Sequence, residues 1–554
     1  MVGQTRRRFA QLSLAALGAA CARGGGGDII VHGGPIYTGL EATPTVEAVR
    51  IRGGRFVAVG ALSDVLSGAS GAREIDLAGA AAFPGFTDGH VHLMGVGLAS
   101  TQLDLVGVPS LAVLQQRLRD YAAANPEGPI IGRGWIETHW PERRFPTRAD
   151  LDAVVNDRPV FLQRIDGHAA IANSAALAMA EVDASTPDPD GGRIERDASG
   201  AATGMLIDNA EALVASRLPG PTRGMRRQAL AAAAQLYASR GWTGIANMST
   251  GADEAALFAE LAAAGEMPVH ADLYMTPEDS GAVYERGPYE EAGGLVRVRG
   301  VKLYMDGALG SRGAALLAPY SDAPGDGLLV TPLETLRDYL TRARARGVQV
   351  ATHAIGDRGN RMVLDAYRDV FADNPGALRQ ARWRVEHAQV VAPEDVARFG
   401  EMGVIASMQP SHAISDLHFA PARLGANRLD GAYAWRAILD AGAVICGGSD
   451  APVEKGDPLI EFYAAMHRHD LSGFAGPDWR LNQAVQREEA LRMLTWAPAF
   501  ASFADEGRGV IAVGKRADLS AFSVDLMQAA PTAIPDARPV LTISDGRITY
   551  DAAG

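Results

Sequence analysis

Residues 80–93 read AAAFPGFTDGHVHL. A short apolar run, AAAFPGF, leads into two histidines one residue apart, His90 and His92. Side chains alternate along a strand, so His90 and His92 point to the same side and both imidazoles can reach one cation. Neutral imidazole nitrogen suits zinc and similar metals, at about 2.0–2.1 Å. The stretch reads as a strand whose end forms one wall of a metal site. The fold then depends on which other strands end in matching groups.

Several do. His353 follows VQVAT and precedes AIGDRG, His387 follows WRVE, and Asp450 follows AVICGGS. Lys302 lies inside VRVRGVKLYMDGALG. Burying its ammonium is costly, so it must be paired, neutralised or modified. Around these positions apolar strands alternate with amphipathic helices: GWTGIANM precedes 253–264, VQVATHAIG precedes 358–373, and GVIASMQP precedes 433–441. Alternating βα units imply an α/β protein with a parallel sheet, and over so long a stretch a (β/α)8 TIM-type barrel with insertions. All C-terminal strand ends of such a barrel converge on one face, which would bring these distant residues together. About nine candidate strands compete for the eight places of such a barrel. One of PVFLQRI, TGIANM and VHADLY is therefore expected outside it.

The ends of the chain have a different texture. Residues 28–82 hold DIIVHGGPIYTG, EAVRIRGGRFVAVG and AREIDLAGA, and residues 506–554 hold ADLSAFSVD and PVLTISDGRITYD. Short β-rich runs with glycine turns at both ends predict a small β-sandwich built from both termini, flanking a barrel over 83–505. The chain has 554 residues, 47% hydrophobic, ample for a large core. A net charge of −13 with no long basic run argues against a nucleic-acid partner. Two cysteines, Cys21 and Cys446, supply neither a disulfide framework nor a cysteine-rich zinc site. Cys446, inside AVICGG, reads as a buried strand residue.

Residues 1–27 read as a targeting segment and glycine linker. Thr5-Arg6-Arg7-Arg8-Phe9, a modest apolar run and then small residues resemble a bacterial twin-arginine export signal. The expected location is exported, either periplasmic or membrane-anchored by lipid. Cys21, after LGAA, is the candidate lipid attachment point, with cleavage nearby without lipidation as the rival reading and an ordinary basic amphipathic N-terminus as a third.

The motifs together resemble the amidohydrolase superfamily, and more closely amidohydrolase family 3, the branch that includes N-substituted formamide deformylases. The resemblance covers about 28–552 and rests on FPGFTDGHVHL, GWIETHWPERRFPTRADLD, VFLQRIDGHAAIANSAAL, VKLYMDGALGSRGAAL, VATHAIGDRGN, VEHAQ, MQPSH, GGSDAPV and GVIAVGKRADL, in that order. It implies that His90 and His92 are the strand-1 ligands, His353 and His387 the strand-5 and strand-6 ligands, and Asp450 the strand-8 aspartate. It implies that Lys302 is carboxylated and bridges two divalent metals, zinc being the expected pair. It further implies hydrolysis of a C–N bond in an amide, N-acyl or N-formyl compound by metal-activated hydroxide. Asp450 would carry the proton from water to the leaving nitrogen, and a histidine such as His387 would aid the oxyanion. A homodimer is common in the superfamily.

The residues themselves leave alternatives open. One is a mononuclear deaminase or other hydrolase using His90, His92, His387 and Asp450 with an unmodified Lys302. Another is an exported binding protein that has lost catalysis. A small molecule is the expected substrate or ligand in each case. On the substrate side, His168 in DGHAA, His412 in MQPSH and Trp135 in GWIETHW are candidate pocket residues. A loop-bracing role for His168 and a core role for Trp135 are the competing readings. Asp306 and Arg312 are read as a salt bridge holding the loop after Lys302, and RMLTWAPAF as a helix packed on the barrel.

Overall fold

Eight strands supply the frame: β1 (Phe86–Val91), β2 (Trp242–Thr250), β3 (His270–Met275), β4 (Val296–Tyr304), β5 (Gln349–Ala354), β6 (Arg384–His387), β7 (Ile405–Met408) and β8 (Ile445–Gly447). In the computed structural model, which describes residues 27–553, each pairs in parallel with the next in chain order. The predicted export segment lies outside the described residues except for Gly27, and Cys21 lies there with it. The sheet closes beyond the end of β8. The Asp450 N–H donates to the His90 carbonyl at 2.7 Å, the His92 N–H donates to the Ala451 carbonyl at 2.9 Å, and Val91 bridges Ala451. The residues that close the barrel are thus those whose side chains form the candidate site. The fold is the expected TIM-type barrel.

The strand sequences explain their places. Every residue of β1, β5, β6 and β7 is buried, as in a sheet covered on both faces, although β1 and β6 carry Asp88, His90, Arg384, Glu386 and His387 among their apolar residues. The helix Arg223–Arg240 covers part of the outer face. Its N-cap Thr222 accepts the Met225 N–H, it ends at Gly241 with φ 100°, and it buries Leu230, Ala234 and Tyr237. RMLTWAPAF forms two helices, Arg487–Leu494 and Trp496–Ala501, in place of one. Pro498 has no N–H to give the Leu494 carbonyl, so the chain breaks at Thr495.

PVFLQRI is the expected strand outside the barrel; TGIANM and VHADLY are β2 and β3. Between β1 and β2 the chain builds a separate six-stranded sheet. It runs Gly192–Arg196, Ala202–Asp208, Ala169–Ala172, Val160–Arg164, Ile130–Trp135 and Leu103–Asp104 in spatial order. Apolar side chains pack in two clusters, one around Leu105, Trp135 and Leu162, the other around Phe161, Leu177 and Leu206. This insertion leans over the C-terminal face of the barrel. A Cβ on Gly307, in the loop after β4, would lie 2.5 Å from Asp208 Oδ2, so glycine is required for the two to meet.

The two termini come together as a sandwich. A four-stranded sheet uses only residues 29–76, while a six-stranded sheet interleaves Ile36–Tyr37, Thr45–Val46 and Ala81–Pro84 with Leu519–Phe522, Pro539–Ser544 and Arg547–Asp551. Val31, Val49 and Phe56 share one core with Leu519, Leu541 and Ile543. No helix among the described residues is long and apolar enough to cross a membrane.

Candidate active site

His90 sits at the end of β1, fully buried. Its Nδ1 donates to Glu386 Oε2 at 2.6 Å, which leaves Nε2 as a lone pair. That nitrogen is buried without a hydrogen-bond partner, 3.4 Å from Asp450 Oδ1, which is likewise buried without one. His92 Nε2 lies 3.2 Å from the same oxygen. His387, ending β6, pairs its Nδ1 with Gln409 Oε1 at 2.9 Å, so its Nε2 too is a lone pair. One ligand atom from each of His90, His387 and Asp450 falls within 4.8 Å of the others. Unsatisfied buried polar atoms cost about 1–3 kcal/mol each. Nitrogen and carboxylate lone pairs converging on one point fit a divalent cation, which would satisfy them together.

The remaining predicted ligands stand around this inner set. The His353 ring centroid is 4.5 Å from that of His387, and its Nε2 faces the Gly307 carbonyl at 3.4 Å. Lys302 is 1% exposed, and with His92, His353, His387 and Asp450 it lines a cavity of about 520 Å³. The six residues therefore share one face, three of them in mutual ligand range and three arranged about them.

The electrostatics follow from burial and pairing. Burial takes the His90 imidazole down to about 4 and the Lys302 ammonium down to about 8. Burial also holds His353 and His387 well below the usual histidine range. The three imidazoles therefore favour the neutral forms that can donate electron pairs, and burial makes the Lys302 ammonium easier to deprotonate. Burial pushes Asp450 up, but the neighbouring imidazoles of His90, His92 and His387 outweigh it and hold the carboxyl well below its usual range. His387 and Asp450 adopt φ of 72° and 57°, left-handed backbone that non-glycine residues rarely occupy and that gathers at functional sites.

A supporting layer went unread in the sequence. Glu386, fully buried, accepts from His90 and from Arg384 at 2.7 and 3.0 Å; burial opposes its charge, but these partners hold it down at about 2. Arg384 also donates to the Gly89 carbonyl and to Ser407, tying β1, β6 and β7 together beneath the site. Asp88 accepts from the Ser449 N–H and hydroxyl at 2.8 and 2.6 Å and so fixes the strand 8 loop against β1. Such partners set the tautomer and aim of metal-binding histidines. The readable signal was Arg384-x-Glu386, two charges on the same side of a short buried strand.

The substrate-side residues divide. His168, from the insertion, reaches the site: its Nδ1 pairs with Asp208 at 2.6 Å and its ring lies 5.1 Å from that of His353. Burial opposes its charge, but Asp208 outweighs that and raises the imidazole to about 9. His412 also reaches the site, with Nε2 buried, unpartnered and 3.6 Å from Asp450 Oδ2. Both line a narrow cavity of about 140 Å³ whose apolar walls include Ile136, Leu309, Ile355 and Phe419. Trp135 does not. It is wholly buried in the insertion core with its indole N–H on the Leu162 carbonyl at 2.8 Å, and its neighbour Ile136 forms the wall. The expected Asp306–Arg312 bridge is also absent. Asp306 instead accepts three backbone N–H groups, from Ile355, Gly356 and Ala315, at 2.8–2.9 Å, while Arg312 pairs with Asp322 at 3.0 Å. A buried carboxylate takes the nearest rigid donors in preference to a long side chain reaching from the surface.

The amidohydrolase family profile matches residues 73–550. YtcJ of Bacillus subtilis strain 168, named an amidohydrolase, is 35% identical over 535 residues, 94% of this chain and 99% of its own. The N-substituted formamide deformylase of Arthrobacter pascens is 30% identical, covering 95% of this chain and 99% of its own. A metal-dependent hydrolase from Pyrococcus horikoshii OT3 superposes with a TM-score of 0.73 at 27% identity, covering 91% of this chain and 99% of its own.

Proposed function

The chain belongs to the amidohydrolase family, and from that premise we propose that this metal-dependent hydrolase cleaves a C–N bond in a small amide, N-acyl or N-formyl compound. The observation that carries the reading is the meeting of unpartnered buried lone pairs on His90 Nε2 and Asp450 Oδ1 beside the His387 imidazole. His90, His92, His353, His387 and Asp450 would hold a divalent metal, with zinc suited to the imidazole-rich set. Lys302, whose ammonium burial makes easier to deprotonate and so open to carboxylation, would extend the set to two ions. When bound, such ions supply Lewis acidity and lower the pKa of water to about 7.

The chain's own residues do the rest. Asp450, kept ionised, accepts a proton at its carboxylate and returns it to the leaving nitrogen. His168, aimed by Asp208, offers Nε2–H to the oxygen on which charge develops. Ile136, Leu309, Ile355 and Phe419 exclude water and favour an apolar substituent. The proposal includes export, supported by the arginine-rich start of the chain.

A second reading, a mononuclear deaminase, is favoured by one observation: among the described residues only His90, His387 and Asp450 lie within mutual ligand range. One experiment separates them. The metal-loaded protein is offered a panel of N-formyl and N-acyl amines beside amino-substituted heterocycles. Release of carboxylate and amine supports amide hydrolysis, and release of ammonia supports deamination. Asp450→Asn should silence either.

A further inference from the structure

At the N-terminal ends of the strands, opposite the metal site, a cavity of about 250 Å³ opens between barrel and sandwich. Its wall presents four guanidinium groups, Arg55, Arg297, Arg508 and Arg516, beside His270 and a single carboxylate, Glu290. The other counter-charges lie behind this wall. Asp272, 1% exposed, serves two arginines at once, accepting from Arg297 at 2.6 Å and from Arg508. Asp518 is engaged by His270 at 3.2 Å. Arg55 and Arg516 stand opposite each other across an antiparallel bridge, a register in which like charges repel. Arg55 donates to the Gly514 carbonyl at 2.7 Å, and Arg516 comes no nearer than 3.5 Å to Asp545. Arg508 is 5% exposed, and its Nε has no hydrogen-bond partner. Burial works against its charge, as do the nearby Arg297 and Arg516 cations, while Asp272 and Asp518 favour it.

We propose that this cavity binds a small multivalent oxyanion of the phosphate class, at a site separate from the metal centre. Guanidinium forks match the paired oxygens of such a group. One dianion between Arg55, Arg297 and Arg516 would relieve the repulsion between Arg55 and Arg516, whose present partners are the Gly514 carbonyl and an Asp545 carboxylate 3.5 Å away. The volume admits inorganic phosphate or the head of a phosphomonoester. Contributions from both termini and from two barrel strands mean that the bound ion would clamp the sandwich to the barrel.

Inorganic phosphate titrated calorimetrically into the full metal-loaded chain, at ionic strength fixed with chloride, tests this. Arg55 is exposed and Arg516 half-buried, so Arg55→Gln/Arg516→Gln removes two cations without emptying a core. Saturable binding to the wild type, weaker by about tenfold or more in the double variant and retained in Asp450→Asn, is the expected result. Glycerol 3-phosphate in a parallel arm distinguishes the source. Tighter binding than phosphate points to a phosphomonoester, weaker binding to the free ion. Absence of binding, equal affinity in wild type and double variant, or loss of binding only in Asp450→Asn would each overturn the proposal.

Discussion

The two ends of the barrel bury ionisable groups in opposite ways. At the C-terminal mouth, His90 Nε2, Asp450 Oδ1 and His412 Nε2 are buried polar atoms without a hydrogen-bond partner. At the N-terminal floor, four arginines crowd around carboxylates set behind them. The mouth turns buried acceptor atoms toward its cavity, and the floor turns four guanidinium groups and one carboxylate toward its own. Beneath the mouth, Glu386, Arg384 and Asp88 are fully paired, so the orphaned atoms are not carelessness of packing. A fold that satisfies its supporting layer and leaves the layer above unsatisfied has reserved that layer for something it binds. The same physical rule, that buried charge needs a partner, therefore points to different ligands at the two ends.

The sharpest way to break this contrast is at Asp450. Asp450→Asn keeps the shape and removes the proton acceptor, so kcat should fall by about 10²–10⁴-fold with the fold intact by circular dichroism. Glu386→Gln comes next. It loosens the aim of His90 and should weaken metal affinity by about 10–100-fold, read by competition with a chelating dye. At the floor, Asp272→Asn leaves Arg297 and Arg508 without their shared carboxylate. It should cost about 3–5 kcal/mol in denaturant unfolding while leaving KM unchanged. A larger loss of activity than of stability there would erase the distinction between the ends.

The two ends should also answer pH in opposite senses. His168 is raised in the folded protein, to about 9. Its contribution is fully present below the unfolded value of about 6.5 and is lost as pH rises through about 9. Asp272 is lowered: burial opposes its charge, but Arg297 and Arg508 prevail. Its contribution is present above the unfolded value of about 3.9 and is lost as pH falls through the folded value. Unfolding of the metal-free protein should show His168→Asn flattening only the alkaline limb and Asp272→Asn only the acid limb. The smallest effect on activity is expected at Trp135. Trp135→Phe forfeits one buried hydrogen bond and leaves a small void, about 1–3 kcal/mol of stability, and should leave KM unmoved because the side chain faces the insertion core.

What was legible in the sequence is what repeats. His90, His92, His353, His387 and Asp450 each follow an apolar run, and a parallel barrel gathers strand ends whatever the helices between them do. The sandwich was legible because both ends of the chain carry short β-rich runs. Less could be read where a residue's partner is set by tertiary contact. Trp135 stands next to the pocket residue Ile136, and only the strand's orientation in the insertion sheet decides which of them faces in. Asp306 and Arg312 look like partners at a spacing of six residues, yet backbone donors from Ile355 and Gly356 arrive first. Glu386 was overlooked beside His387 because adjacent strand residues face opposite ways. Its meaning appears only when Arg384, two residues back on the same side, is read with it.

Metal content per chain tests the reading of the mouth most directly, measured on protein expressed with added zinc and bicarbonate, for the wild type and for Lys302→Ala. About two ions per wild-type chain, falling sharply in the variant, is the result expected of a binuclear site bridged through Lys302. About one ion in both proteins would contradict that site and leave His90, His387 and Asp450 as the whole of the metal centre.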